Sequence, residues 1–113
     1  MESVWISKRH LNSQKHLTVT KITFSQKAVD ALIAQANYIF KLTADEEKAD
    51  LYLDMMESYI TQTLSQYPLI GRPAPEISEG IRKLVYKRYT ILYRIHLEEI
   101  EILTIYKENL PLI

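Results

Sequence analysis

The sequence predicts an α+β domain in which a pair of helices covers one face of an antiparallel sheet. Three observations carry that expectation. Two stretches between residues 25 and 67 place apolar residues at helical spacing, three β-rich stretches follow between 81 and 106 with two-residue breaks, and a β-branched run leads them all at 18–24. A chain of 113 residues supports one core and not two. With 47% apolar residues it can bury enough surface to fold, so a disordered chain is excluded.

Residues 1–17 are polar and aperiodic apart from Trp5 and Ile6, and read as an arm or an extra leading strand; 18–113 reads as the domain. Thr18 to Phe24 is a strand by propensity. Ser25 offers an N-cap, and Val29, Leu32, Ile33, Ala36, Ile39 and Phe40 repeat as a helical stripe. Thr43 with Glu46 fits a capping box for a second helix. Ala49, Tyr52, Leu53, Met56, Ile60, Leu64 and Tyr67 form its stripe, and Pro68 stops it. The acids Asp45, Glu46, Glu47 and Asp50 sit where the helix dipole favours negative charge. Residues 68–75, with three prolines and a glycine, form a rigid non-helical connector. Strands follow at Ile81–Tyr86, Tyr89–His96 and Ile100–Tyr106; the short breaks Lys87-Arg88 and Glu98-Glu99 make them an antiparallel meander.

Charge is balanced overall but segregated. Residues 30–57 carry seven acids and two cations, whereas Arg82, Lys83, Lys87, Arg88 and Arg94 meet no acid between Ile81 and Leu97. A neutral chain can still bind an anionic partner through one basic face. No cysteine is present, and neither His10 nor His16 has metal-like company, so no metal or other cofactor is expected. No apolar run approaches the ~20 residues needed to span a bilayer. The first residues lack the apolar region of a signal peptide. A cytoplasmic protein without membrane contact is the expectation.

Two-residue turns fix the pairing: Tyr86 faces Tyr89, Leu84 faces Ile91, Arg82 faces Tyr93, Ile95 faces Ile102, Ile91 faces Tyr106 and His96 faces Glu101. Opposed residues share a face. Leu84, Ile91, Tyr93, Ile95, Ile100 and Ile102 then make the surface that the helices cover, with Arg82 directed the same way to pair with an acid or cap a helix end. The outer face carries Ile81, Lys83, Val85, Thr90, Leu92, Arg94, His96, Glu101, Leu103, Ile105 and Lys107. Five aliphatic residues interleaved with three cations suit a partner site, although the N-terminal arm or a second copy could cover the same surface.

Ile22-Thr23-Phe24-Ser25, Tyr67-Pro68-Leu69-Ile70-Gly71-Arg72-Pro73, Ile81-Arg82-Lys83-Leu84, Tyr89-Thr90-Ile91-Leu92-Tyr93-Arg94 and Glu99-Ile100-Glu101-Ile102-Leu103 occur in an order and spacing that resemble the RelE/ParE superfamily. Its members are the toxins of type II toxin–antitoxin, or plasmid stabilisation, systems. The resemblance spans about residues 20–110 and is closer to the ParE branch through the proline–glycine–arginine connector and the Tyr-x-Ile-x-Tyr-Arg strand. It implies a growth-inhibiting toxin neutralised by a cognate antitoxin. ParE-like members poison DNA gyrase by binding, and RelE-like members cut messenger RNA on the ribosome.

Ribonuclease chemistry of that kind needs a base, cations on the scissile phosphate and an acid. Lys83 matches a basic position, and Lys83 and Arg94 are the catalytic candidates on that reading. Thr90, however, stands where an arginine is expected, and the chain ends before the expected terminal tyrosine. Tyr106 and Asn109 likewise stand where ParE-like members carry a histidine and an arginine. The expectation is therefore a gyrase-directed binding toxin rather than an enzyme. The alternatives are the ribosome-dependent ribonuclease and an inactive member that only binds a partner. Lys83, Val85, Lys87, Arg88, Leu92, Arg94, Leu103, Ile105 and Lys107 are the expected target or antitoxin contacts, hidden by self-association into a homodimer when the toxin is isolated.

Overall fold

The computed structural model describes residues 21–107. The predicted arm at 1–17, the start of the leading strand at 18–20 and the chain after Lys107, including Asn109, lie outside them.

Strand β1, Lys21–Phe24, leads into helix α1, Gln26–Thr43. Ser25 caps that helix as expected: its Oγ accepts from the Ala28 N–H at 3.0 Å. The same hydroxyl donates to the Leu103 carbonyl at 2.8 Å, so the cap also ties α1 to the last strand. Ala28, Leu32 and Ala36 are buried along α1, whereas Ile33 and Phe40, expected in the stripe, are about half exposed. The two alanines let the helix sit close to its neighbours, and the buried line turns to the i, i+4, i+8 positions they occupy.

The break between helices differs from the expected capping box. Thr43 is the last residue of α1, and its hydroxyl donates to the Ile39 carbonyl. Ala44 is left-handed at φ 55°, and Asp45 caps helix α2, Glu46–Gln66, by accepting from the Glu47 and Lys48 N–H groups. A single carboxylate oxygen serves both orphan donors there, next to the positive end of the helix dipole. Ala49, Tyr52, Met56, Ile60 and Leu64 are buried as the stripe predicts. Tyr67 is exposed instead, because α2 ends at Gln66 ahead of Pro68.

Strands β2 (Arg72–Pro73), β3 (Ile81–Tyr86), β4 (Tyr89–His96) and β5 (Glu99–Lys107) complete a five-stranded sheet of order β1-β5-β4-β3-β2. Only β1 runs parallel to its neighbour, β5. The expected α+β architecture is present, with the addition of β2, a two-residue edge strand inside the connector. Pairing between β3 and β4 follows the predicted register through Tyr86↔Tyr89, Leu84↔Ile91 and Arg82↔Tyr93.

Pairing between β4 and β5 does not. The turn falls at Leu97-Glu98, giving His96↔Glu99 and Ile95↔Ile100 in place of His96–Glu101 and Ile95–Ile102. This two-residue shift leaves every side chain on its expected face. Further along, a bulge intervenes: Tyr93 pairs with Ile102, but Leu92 pairs with Thr104. The extra residue, Leu103, inverts the face of everything after it. Ile105 therefore lies opposite Ile91 in the helix-side core, 1% exposed, and not on the outer face. Lys107 moves with it to pair with Tyr89, and Tyr106 takes the outer position opposite Thr90. Met56, Ile60 and Leu64 of α2 share one buried cluster with Leu84, Ile91, Tyr93, Ile100, Ile102 and Ile105.

Candidate functional site

The connector is fixed before the outer face is built. Tyr93 is fully buried, and its hydroxyl donates to the Pro68 carbonyl at 2.8 Å while accepting the Gly71 N–H at 2.9 Å. Burial raises the pKa of this phenol, with the Gly71 hydrogen bond and the Arg82 charge acting the other way. A Cβ on Gly71 would meet the Tyr93 ring and hydroxyl at 2.8 Å and the Lys83 carbonyl at 2.9 Å, so only glycine fits. Arg82 does reach the helix side, but its partners are not an acid or a helix end. Its Nε donates to the Gly71 carbonyl at 2.8 Å and an Nη to the Leu69 carbonyl at 3.1 Å. These bonds hold the connector against β3 and leave Tyr67, Leu69 and Ile70 exposed.

Beyond Pro73 the chain folds onto the outer face. The Ala74 N–H donates to the Ile81 carbonyl at 2.8 Å, and Ala74, Ile81 and Leu92 form a second small core with Leu103 against it. The expected open apolar stripe is thus largely filled by the protein's own loop. Leu92 is 7% exposed and Leu103 half-buried, whereas Val85 is 55% exposed.

What remains open on this face has a definite order along the sheet. Lys87 and Arg88 form the β3–β4 tip, and both are exposed. The row beside them is Val85, Thr90 and Tyr106; the next is Arg72, Lys83, Leu92 and Thr104; the next is Ile81, Arg94 and Glu101; the last is His96 and Glu99. Lys83 and Arg94 are diagonal neighbours, while Arg94 faces Glu101 directly. Thr90 is completely buried, so the position where an arginine was expected presents no side chain to a substrate. Among the described residues Arg72 and Glu76 make the only ion pair, at 3.1 Å; a backbone hydrogen bond, and then Arg72, lower the Glu76 pKa. Lys83, Lys87, Arg88 and Arg94 make no ion pair among the described residues, although the Lys83 charge acts on Glu76 and Arg94 faces Glu101 across the strands.

The tip itself is strained and braced. Lys87 and Arg88 have φ of 49° and 72°, the pattern of a type I′ turn, which favours Asn-Gly. Left-handed geometry costs an L-residue roughly 1–2 kcal/mol. Tyr86 stacks on Tyr59 of α2 at 3.6 Å between centroids and 6° between planes, Tyr89 packs on Tyr52 at 5.4 Å, and the Lys87 ammonium lies 5.7 Å from the Tyr86 ring centre. The Tyr52 hydroxyl donates to Gln35 Oε1, and the Gln35 amide donates to the Ile105 carbonyl at 3.2 Å. Burial, with Tyr89 beside it, raises the Tyr52 pKa. These tyrosine contacts join the hairpin to α2; the sequence places Tyr52 in the helical stripe and Tyr86 opposite Tyr89, but carries no sign of Tyr59.

An apolar groove of about 260 Å³ lies elsewhere, lined by Phe24, Val29, Leu32, Ile33, Leu53 and Glu57. Sequence reasoning missed it because Ile33 reads as core at helical spacing. Among the described residues no helix is long and apolar enough to cross a membrane.

The solved structures with this fold include the chromosomal ParDE toxin–antitoxin system from P. aeruginosa. That match has a TM-score of 0.65 and 24% identity, and it covers 84% of this chain and 100% of the other. The RelBE2 toxin–antitoxin complex from Mycobacterium tuberculosis matches with a TM-score of 0.59 and 21% identity, over 78% of this chain and 96% of the other. No curated protein sequence matches the chain. The family model for the ParE toxin of the type II toxin–antitoxin system parDE matches residues 22–109, from β1 through the end of the sheet. The protein belongs to the ParE toxin family of the RelE/ParE superfamily.

Proposed function

We propose that this chain is a growth-inhibiting toxin that acts by binding DNA gyrase, and that a cognate antitoxin neutralises it. The observation that carries the non-enzymatic reading is Thr90. On the central strand β4, in the row beside the tip between Val85 and Tyr106, the resemblance to cleaving members leads to an arginine, and this chain has a buried threonine there. Losing one positioned transition-state donor commonly costs ~10²–10³ in rate, and losing acid–base help a further ~10²–10⁴. The ribonuclease reading draws on Lys83, Arg94 and the adjacent Glu101, which share the outer face.

Lys83, Val85, Lys87 and Arg88 are the recognition surface for the target, and an acidic amphipathic segment of the antitoxin fits the same charges. Leu92 and Ile105 drop out of that surface because they are buried. Induced expression tests the reading. Cells should filament and show DNA damage while translation continues; an immediate arrest of translation with messenger RNA cut at codon positions would contradict it. For the antitoxin, Val85→Asp should weaken the complex at least tenfold while the isolated protein melts as the parent does; unchanged affinity would remove Val85 from the interface.

A further inference from the structure

The β3–β4 tip is built against the preference of its own turn. Two cations at positive φ stand where Asn-Gly would be unstrained, and the hairpin beneath them is braced on α2 through Tyr86–Tyr59 and Tyr89–Tyr52. Strain kept at an exposed site by a rigid surround points to a use for the side chains. Around the tip Lys83, Lys87 and Arg88 make no ion pair among the described residues, whereas Arg72 is held by Glu76. Arg72 and Lys83 lie in the second row, Val85 and the exposed Tyr106 lie between, and the acids Glu99 and Glu101 lie in rows toward the other end of the sheet.

We propose that this tip engages the phosphodiester backbone of duplex DNA, with Lys87 and Arg88 at the edge of a groove and Lys83 on the adjacent phosphates. The shape favours DNA over an acidic peptide. The Lys87-Arg88 turn projects past the last described pair of β4 with β5, Tyr89↔Lys107, so its two exposed cations can reach phosphates bordering a groove. A peptide strand pairing at this sheet edge would meet β2, which already occupies Arg82 and Lys83. The inference rests on the gyrase reading and deepens it: gyrase holds DNA, and this surface would touch that DNA as well as the enzyme.

The test is fluorescence anisotropy of the full chain with a labelled 20-base-pair duplex between about 25 and 200 mM salt. Three phosphate contacts predict a slope of log Kobs against log salt of about −2.7. The double variant Lys87→Asn/Arg88→Gly restores the preferred turn. It should melt no lower than the parent, lose about 2 from the magnitude of the slope and bind at least tenfold more weakly at 50 mM salt. Lys27→Asn, exposed at the start of α1 where Ser25 is bonded to Leu103, should change neither. No binding at 25 mM salt, a slope indifferent to the double variant, or equal affinity for polyglutamate would each overturn the proposal. Inhibition of gyrase by the same parent preparation separates the two readings. If it persists without DNA binding, only this inference falls; if it is absent while DNA is bound, only the gyrase reading falls.

Discussion

Tyr93 and Gly71 act as one unit: the phenol satisfies both the Pro68 carbonyl and the Gly71 N–H, and the missing Cβ makes room for the ring. Tyr93→Phe leaves two backbone groups unpaired in a buried place, and should cost ~1–3 kcal/mol by denaturant titration. The raised pKa values of Tyr52 and Tyr93 give a pH signature. A folded-state pKa above the unfolded value near 10 means stability complete below about pH 10 and lost as pH rises toward the folded value. Tyr52→Phe should therefore flatten the alkaline fall in melting temperature, and an unchanged alkaline profile would contradict that role. Leu97 is the opposite case, 82% exposed at φ 60°. With positive φ at its first central position only, the Leu97-Glu98 turn fits type II′, which takes glycine there. Leu97→Gly should stabilise the fold by about 1 kcal/mol, seen as a higher Tm; a lower Tm would mean the leucine packs against something.

At the scale of the element, the β5 bulge decides which side chains face a partner. Ile105→Ala should cost ~2–5 kcal/mol as a core truncation, and Val85→Ala should stay within about 0.5 kcal/mol. Comparable losses at the two positions would contradict the face assignment. The sequence made the elements legible because Leu, Ile and Met recur at helical spacing and Lys87-Arg88 leaves room for only one register between β3 and β4. It did not reveal the bulge, since Leu103 carries no glycine or other marker of one. Strand β2 was hidden for a related reason: Arg72-Pro73 lies among prolines, and its pairing with Arg82 and Lys83 follows from the Tyr93 and Arg82 clamps, which are long-range. Lys83, Val85, Lys87 and Arg88 were placed correctly on the outer face and its tip because they precede the bulge. Ile105 and Lys107 follow it and were placed on the wrong side.

For the whole molecule, a chain of zero formal charge separates an acidic helix layer from a basic sheet end. The family match and the fold account for a toxin scaffold, and the buried Thr90 and the cationic tip direct the proposed activity toward binding. Inhibition of gyrase supercoiling by the purified protein tests this most directly, comparing the parent with Lys83→Glu/Lys87→Glu/Arg88→Glu. The parent should block supercoiling, and the triple variant should lose the block while melting within a few degrees of it. The contrary result is a parent that leaves gyrase untouched yet cuts messenger RNA on programmed ribosomes, with that cutting lost in Lys83→Ala.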